Sequence, residues 1–414
     1  MVFEVGSMEE KPAGEEAVSQ QGQMSRRRFL KYAGVGAAVA VGAGALGYGA
    51  LQYFSTPARP RLQWWGVGTG NPERWDGLGD EVDFTDAAWD PVPVLNKMRS
   101  DGRNIYDVIS NAGTLDDPLF TDGSIVDFNP EEVLPSWSKI YPELRTNNPT
   151  ITVQSTGQIV GVPIVQNGDS VAMLVDQIWP GATQPGQGGD SYGLLFDDQF
   201  NGKTAMESSW ACAVYKVANY LQRNSIDTIS NLEMLSSDDL AKIKTFMLAQ
   251  KSAGQFKTFW TGWNTAVNLL ATNEVVAMDT WEPVVFALRT QDPPINAWYM
   301  APKEGYYLWN IPIYLTPRGQ NVTKDRCMHL MEWTLQGWYG ARITTIRGYL
   351  TATPDAITYA QENPNAGGGP YDSAFVQSRH TLVKAKFSDN VSVYGNQAPP
   401  NIAEYQDTWT QITA

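Results

Sequence analysis

From Arg61 onward, short apolar runs alternate with segments whose apolar residues recur every three to four positions. That alternation of strand and helix patterns predicts an α/β protein. Residues 62–66 read as a first strand running into a Gly-rich turn, and residues 91–98 as a short helix with Pro91 in its first turn. Residues 106–110 read as the next strand. Residues 159–165 and 170–175 read as two strands joined by a tight turn at Asn167, Gly168 and Asp169. Helical periodicity then dominates. One helix puts Val214, Val217, Ala218 and Leu221 on a single face. A second is capped by Ser237, with Asp238 and Asp239 in its first turn and Leu240, Ile243 and Met247 as its buried stripe. A third, over 262–273, leads into a strand at 275–279. A fourth, over 323–339, aligns Cys327, Leu330, Met331 and Thr334. No internal repeat interrupts this order, and Gly-rich loops fall at 184–191 and 363–369.

The front of the chain follows other rules. Residues 1–24 are polar with little apolar content and read as a disordered extension. Ser25, Arg26, Arg27, Arg28, Phe29, Leu30 and Lys31 resemble the twin-arginine motif of Tat export signals. An uncharged Gly/Ala-rich run follows at 32–54. A basic cluster before an apolar run holds that end in the cytoplasm. Segment 25–58 is therefore expected to be an export signal, and 23 uncharged residues are also long enough for a membrane anchor. The expected location is extracytoplasmic, in the periplasm or on the outer face of the membrane, with the Tat machinery as a partner.

Charge narrows the partners further. The 414 residues carry a net charge of −14. The first 58 hold five acids and five bases, so the deficit belongs entirely to the part beyond the signal. Such an acidic surface repels phosphate backbones, which argues against nucleic acid; it also serves plain solubility. Two cysteines, Cys212 and Cys327, make no disulfide framework and fall in helical patterns, where buried thiols are expected, with a single bridge as the alternative in an oxidising compartment. The two histidines are far apart, and no CxxC, HxxxH or HExxH spacing exists. No cofactor or metal is expected.

The order of segments resembles the spermidine/putrescine-binding family of solute-binding proteins. Asp83, Phe84 and Thr85 through Met98 resemble its second strand and following helix. Tyr106, Asp107, Val108 and Ile109 resemble its "YDV" strand, and Gly161, Val162 and Pro163 the strand at its first crossover. Phe196–Asp197 through Gly202–Lys203, residues 264–281, and Gly348–Tyr349 with Thr353–Pro354 resemble further family segments. The likeness spans about residues 62–360. It implies the type II periplasmic-binding-protein fold: two α/β lobes with the ligand cleft between them. Lobe one is expected at 60–166 plus 280–318, and lobe two at 167–279 plus 319–414. The implied function is capture of a small molecule, a polyamine or other organic amine, for an ABC permease. One departure concerns the ligand. Glu207, Ser208, Ser209 and Trp210 follow Gly202–Lys203 where the polyamine binders carry acids.

Fifteen tryptophans, none before Trp64, supply flat faces for cations, sugars or apolar groups. Trp64, Trp65, Trp260, Trp263, Trp281 and Trp309 fall where elements should end at the cleft, although each also suits core packing. The resemblance implies that Trp260 and Trp281 form opposite walls of the site. Asp279 and Glu282 flank Trp281 and offer carboxylates to an ammonium group. Asn111 and Thr114 offer hydrogen bonds from the first lobe, and Ser208 and Ser209 from the second. Trp333 and Trp338 are expected to be structural. Within the same fold, a sugar, a zwitterion or an anion is the alternative ligand, and an exported carbohydrate-active enzyme is the rival reading from another class. The chain shows no nucleophile elbow, P-loop or dinucleotide fingerprint in a fitting context, so no catalytic role is expected.

Overall fold

The computed structural model describes residues 61–414, apart from 88–89, 112–114, 147, 184–185, 187–188, 389–390 and 396–397. The extension, the twin-arginine segment, the apolar run and Thr114 therefore lie outside the described residues. Among the described residues no helix is long and apolar enough to cross a membrane.

Among the described residues, eleven strands make up the sheet. β1 (Leu62–Gly66), β2 (Val82–Asp86) and β3 (Val108–Ser110) pair in parallel, with β1 in the middle. β4 (Gly161–Leu174) and β9 (Tyr307–Leu315) run antiparallel to each other. β5 (Thr204–Glu207) lies parallel to both β6 (Phe256–Trp260) and β7 (Ala277–Thr280). The main path is β2-β1-β3-β9-β4-β7-β5-β6. β8 (Ala297–Tyr299) and β10 (Leu350–Thr351) attach to β4, and β11 (Val393–Tyr394) attaches to β9.

β4 joins the two halves. Its part from Gly161 to Asp169 pairs with β9, and its part from Ser170 to Met173 pairs with β7. Every residue of β4 and β9 is buried. The fold is mixed α/β with a curled sheet: three parallel strands on one side, three on the other, and two long buried strands between.

The expected tight turn at Asn167, Gly168 and Asp169 is not a turn; the chain stays extended through it. Turn-forming side chains favour a turn when nothing else takes their hydrogen bonds. Here Asn167 Nδ2 donates to Glu282 (3.0 Å) and Asn167 Oδ1 accepts from Lys386 (2.8 Å). Asp169 accepts from the indole of Trp309 (2.7 Å). Gly168 is needed because a Cβ there would stand 2.8 Å from Tyr306 Cβ.

Two further expectations shift. The helix over 323–339 is two helices, Lys324–Thr334 and Gly337–Arg347. The Thr353 hydroxyl takes the Leu335 carbonyl (2.8 Å), which ends the first. The helix Ser237–Ser252 is capped one residue earlier than expected. Ser236 accepts from Asp239 N (3.2 Å), and the Asp239 carboxylate accepts from Ser236 N (2.9 Å), a capping box. The helices Trp210–Arg223 and Trp263–Ala271 follow their predicted periodicity. Cys212 and Cys327 are buried and not joined by a disulfide, and burial pushes Cys327 up to about 12.

Helices 324–334 and 337–347 dock against the loops after β1. Trp333 donates to Asp76 O (3.1 Å), Arg326 to Asp80 (2.8 Å) and Tyr339 to Gly70 O (2.8 Å). Helices Trp210–Arg223, Ser237–Ser252 and Ile402–Thr413 pack together on the β5 side.

Candidate functional site

Parallel strands present the loops after their carboxyl ends as a ligand-facing edge. On the β1 side these loops bring Gly68, Thr69 and Asn71, half-buried, and Thr85 and Asp86, exposed. Asp86 accepts a hydrogen bond from Gly68 N (2.8 Å), which ties the two loops together. On the β5 side, Ser208, Ser209 and Trp281 are half-buried, and Thr261 through Thr265 are exposed. Trp263 is 39% exposed, a tryptophan face open to solvent.

The sequence-chosen tryptophans divide. Trp64 is fully buried and donates to Ser110 Oγ (2.8 Å). Trp65 stacks on Tyr106 with centroids 5.1 Å apart. Trp309 is buried between its bond to Asp169 and an edge contact with Tyr349 at 5.0 Å. Trp260 is buried, and its indole N–H donates to Asp279 O (3.1 Å). Trp260 and Trp281 meet edge to face with centroids 5.1 Å apart. They are not opposite walls, because no ligand fits between rings in contact. Among the described tryptophans at these strand ends, Trp281 and Trp263 keep accessible faces. Trp333 packs against Trp75, Trp338 and Tyr339, as a structural residue should. Asn111 is buried at the end of β3.

The two expected carboxylates are already occupied. Asp279 Oδ1 accepts from Glu207 N (2.7 Å), and Oδ2 lies 3.1 Å from the ammonium of Lys216. Lys216 is buried, with Asp169 at 3.9 Å on its other side. Burial opposes its charge, but Asp279 and Asp169 outweigh that and hold its pKa well above the usual lysine value. Glu207 sits in the same cluster. Burial, against the pull of Lys216, pushes its carboxyl well above the usual carboxylate range. Glu282 meets Lys386 (3.1 Å), Asn167 (3.0 Å) and the Arg379 guanidinium. Burial raises its pKa, but Lys386, Arg379 and Asn167 bring it down to about 2. An ion paired this closely is not free for a ligand.

The sequence reading missed these cations. Lys216 stands in an apolar stretch of its helix, where a lysine needs a buried partner. Arg379 and Lys386 lie seven residues apart, hence on one face, in the helix Ser373–Ser388. Among the described residues, no group of three His, Cys, Asp or Glu side chains could hold a metal ion.

Two sheet halves joined by β4 and β9, with ligand-facing strand ends, define the fold of two-lobed solute-binding proteins. The chain belongs to the bacterial extracellular solute-binding protein family, whose sequence profile matches residues 95–367. Solved structures share the fold at low identity. A candidate spermidine/putrescine ABC transporter from Listeria monocytogenes is 13% identical, covering 85% of this chain and 98% of its own, with a TM-score of 0.65. The Tp0655 (TpPotD) lipoprotein of Treponema pallidum is 10% identical, covering 85% and 99%, with a TM-score of 0.63. MotA from A. tumefaciens B6, solved with glucopine, is 11% identical, covering 86% and 100%, with a TM-score of 0.61. No curated protein matches the sequence. Membership of this family makes capture of a solute outside the cytoplasm the coarse role of the chain.

Proposed function

We propose that the chain captures a small organic amine bearing a single positive charge and delivers it to an ABC permease. The observation that carries this reading is the internal pairing of Asp279 and Glu282 beside the open faces of Trp281 and Trp263. An aromatic face attracts an organic cation by roughly 0.5–2 kcal/mol. A polycation needs several free carboxylates, and Asp86 at the open strand ends already accepts from Gly68 N. Polyamines, which the sequence resemblance favours, therefore rank below monoamines. A neutral polyhydroxyl solute is the second reading, favoured by the hydroxyls of Ser208, Ser209, Thr261 and Thr265 beside the tryptophans. The test is a thermal-shift screen of monoamines, polyamines and sugars, with glycan turnover assayed alongside. A ligand of the native state raises the midpoint by mass action. A polyamine selected over every monoamine would overturn the single-charge reading, and turnover of a glycan would overturn the non-catalytic one.

The lobe division 60–166 with 280–318, against 167–279 with 319–414, stays a proposal. The docking of Lys324–Thr334 and Gly337–Arg347 on the loops after β1 favours moving those helices to lobe one. Export through Arg26–Arg27 is likewise proposed. Replacing both by lysine keeps the charge but removes the pair a receptor reads, so the variant should stay in the cytoplasm. Unchanged export would mean another route.

A further inference from the structure

We propose that Arg347 anchors a carboxylate group of the ligand at the cleft, which makes the solute an amino-acid-like zwitterion. This rests on the reading that the strand-end cleft holds the solute, and it adds a second charge to the amine inferred above.

Three observations converge on Arg347. First, its Nε is buried without a hydrogen-bond partner. A guanidinium offers five N–H donors in a fixed fork matched to a carboxylate, and a buried donor left unmade is costly. Among the described residues it pairs with Glu73 through a 3.4 Å contact from Nη2, and the Glu73 side chain is 57% exposed. Glu73 also faces Arg342 at 3.6 Å, so one solvated carboxylate is shared between two guanidinium groups. Second, Arg347 is the last residue of the helix Gly337–Arg347, and β10 just after it pairs with Val165 and Gln166 of the connecting strand β4. The next residue, Gly348, has φ +70, and a Cβ there would lie 2.1 Å from Phe286 on the helix Glu282–Arg289. The Gly348 carbonyl accepts from Arg379, which also holds Glu282 (3.0 Å for the carbonyl bond). The helix that carries Arg347 thus abuts the helix that starts beside Trp281. Third, the loop after β1 runs along the same helix, with Gly70 bound to Tyr339 and Glu73 to Arg347. On that loop the Thr69 hydroxyl is buried without a partner. Within this neighbourhood the positive charge of Arg347 reaches Tyr349, opposing the burial that raises its phenol.

An arginine of this kind leaves its fork available to a group from outside. A carboxylate can take Nε and a neighbouring N–H together, with the Thr69 hydroxyl as a third donor. The internal cations do not compete, because Lys216, Arg379 and Lys386 are already matched to Asp279 and Glu282. The cleft therefore offers a cation on the β1 side and tryptophan faces on the β5 side, which suits a ligand with a carboxylate at one end and an ammonium at the other.

The test compares α- and ω-amino acids with their amides and with the matching alkylamines, by thermal shift and titration calorimetry on the parent, Arg347→Gln, Arg347→Lys and Thr69→Val. The expected result is that an amino acid raises the parent midpoint while its amide and alkylamine do not. Arg347→Gln should then bind it at least tenfold more weakly, with Arg347→Lys intermediate. The unliganded midpoints of the two arginine variants report whether they fold, and Arg347→Lys carries the comparison if Arg347→Gln does not. Equal binding by parent and variants overturns the inference. An amine or sugar that stabilises the parent when no amino acid does overturns the inference and leaves solute capture standing. No stabilisation in any arm, sugars and polyamines included, counts against both.

Discussion

Trp260 and Trp281 touch, yet truncating them should do different things. Trp260 is buried with its N–H bound to the backbone, so Trp260→Ala removes packing and the hydrogen bond to Asp279 O. A loss of about 3–5 kcal/mol is expected, read by urea denaturation. Trp281 keeps a solvent-facing part, so Trp281→Ala should weaken ligand binding about tenfold, or about 1.4 kcal/mol, with a smaller loss of stability. Equal stability losses from both would make Trp281 a core residue. A pH prediction belongs to the same scale. His380 bonds Tyr141 (3.0 Å) and faces Thr344 (3.4 Å). Burial, with the nearby charge of Lys384, lowers its pKa from 6.5 to about 4. The unfolded chain therefore binds a proton before the folded one does. The stability from neutral His380 is complete above pH 6.5 and is lost as pH falls toward 4, about 3 kcal/mol in all. Glu282, lowered to about 2, adds a loss between its ordinary 4.5 and 2. Asp169, raised to about 6 mainly by burial, works in the opposite sense, gaining stability as pH falls from 6 to 3.8. The readout is thus the difference between the parent and His380→Gln. That difference should shrink by about 3 kcal/mol from pH 7 to pH 4; a constant difference would refute it.

At the scale of elements, β4 shows where the sequence misleads. Asn167, Gly168 and Asp169 have turn composition, but Lys386, Glu282 and Trp309, distant in sequence, supply their hydrogen bonds. No local pattern could reveal partners that lie more than a hundred residues away. Short strands such as β1 and helices such as Trp210–Arg223 were legible because their periodicity reflects burial on one core. The break at Leu335–Gly337 was not, since it depends on Thr353 and on the close approach of Asp355 O, 2.6 Å from a Cβ at Gly337. Of the candidate site, the strand-end position of Trp263 and Trp281 was legible. The fate of Asp279 and Glu282 was not, because charge pairing across elements leaves no spacing to read. Gly168 offers a test. Gly168→Ala would press a methyl against Tyr306 Cβ (2.8 Å) and Leu308 (3.1 Å) in the buried connection. A cost of about 1–3 kcal/mol is expected by denaturation. A neutral substitution would show that β4 and β9 can spread apart there.

For the whole molecule, the connection through β4 and β9 sets what ligand binding can do. Both strands are buried along their length and hydrogen-bonded to each other from Gly161 to Asp169, so they can bend as a pair but cannot slide freely. The groups proposed to meet the ligand stand on both sides of that connection: Thr69 and Arg347 with the loops after β1, Trp281 and Trp263 with the strands β6 and β7. A ligand favours the closed arrangement only by contacts it makes there and not in the open one. Bridging the two sides is the contact that meets this condition. Whichever compound stabilises the chain in the thermal screen should therefore reduce its radius of gyration at saturation, measured by small-angle scattering. Trp281→Ala and Arg347→Lys should each need more ligand to reach the same compact state, because each removes contact from one side. A saturated complex with the dimensions of the unliganded chain would mean that the strand ends already stand at their bound separation, and that β4 and β9 act as a rigid spine.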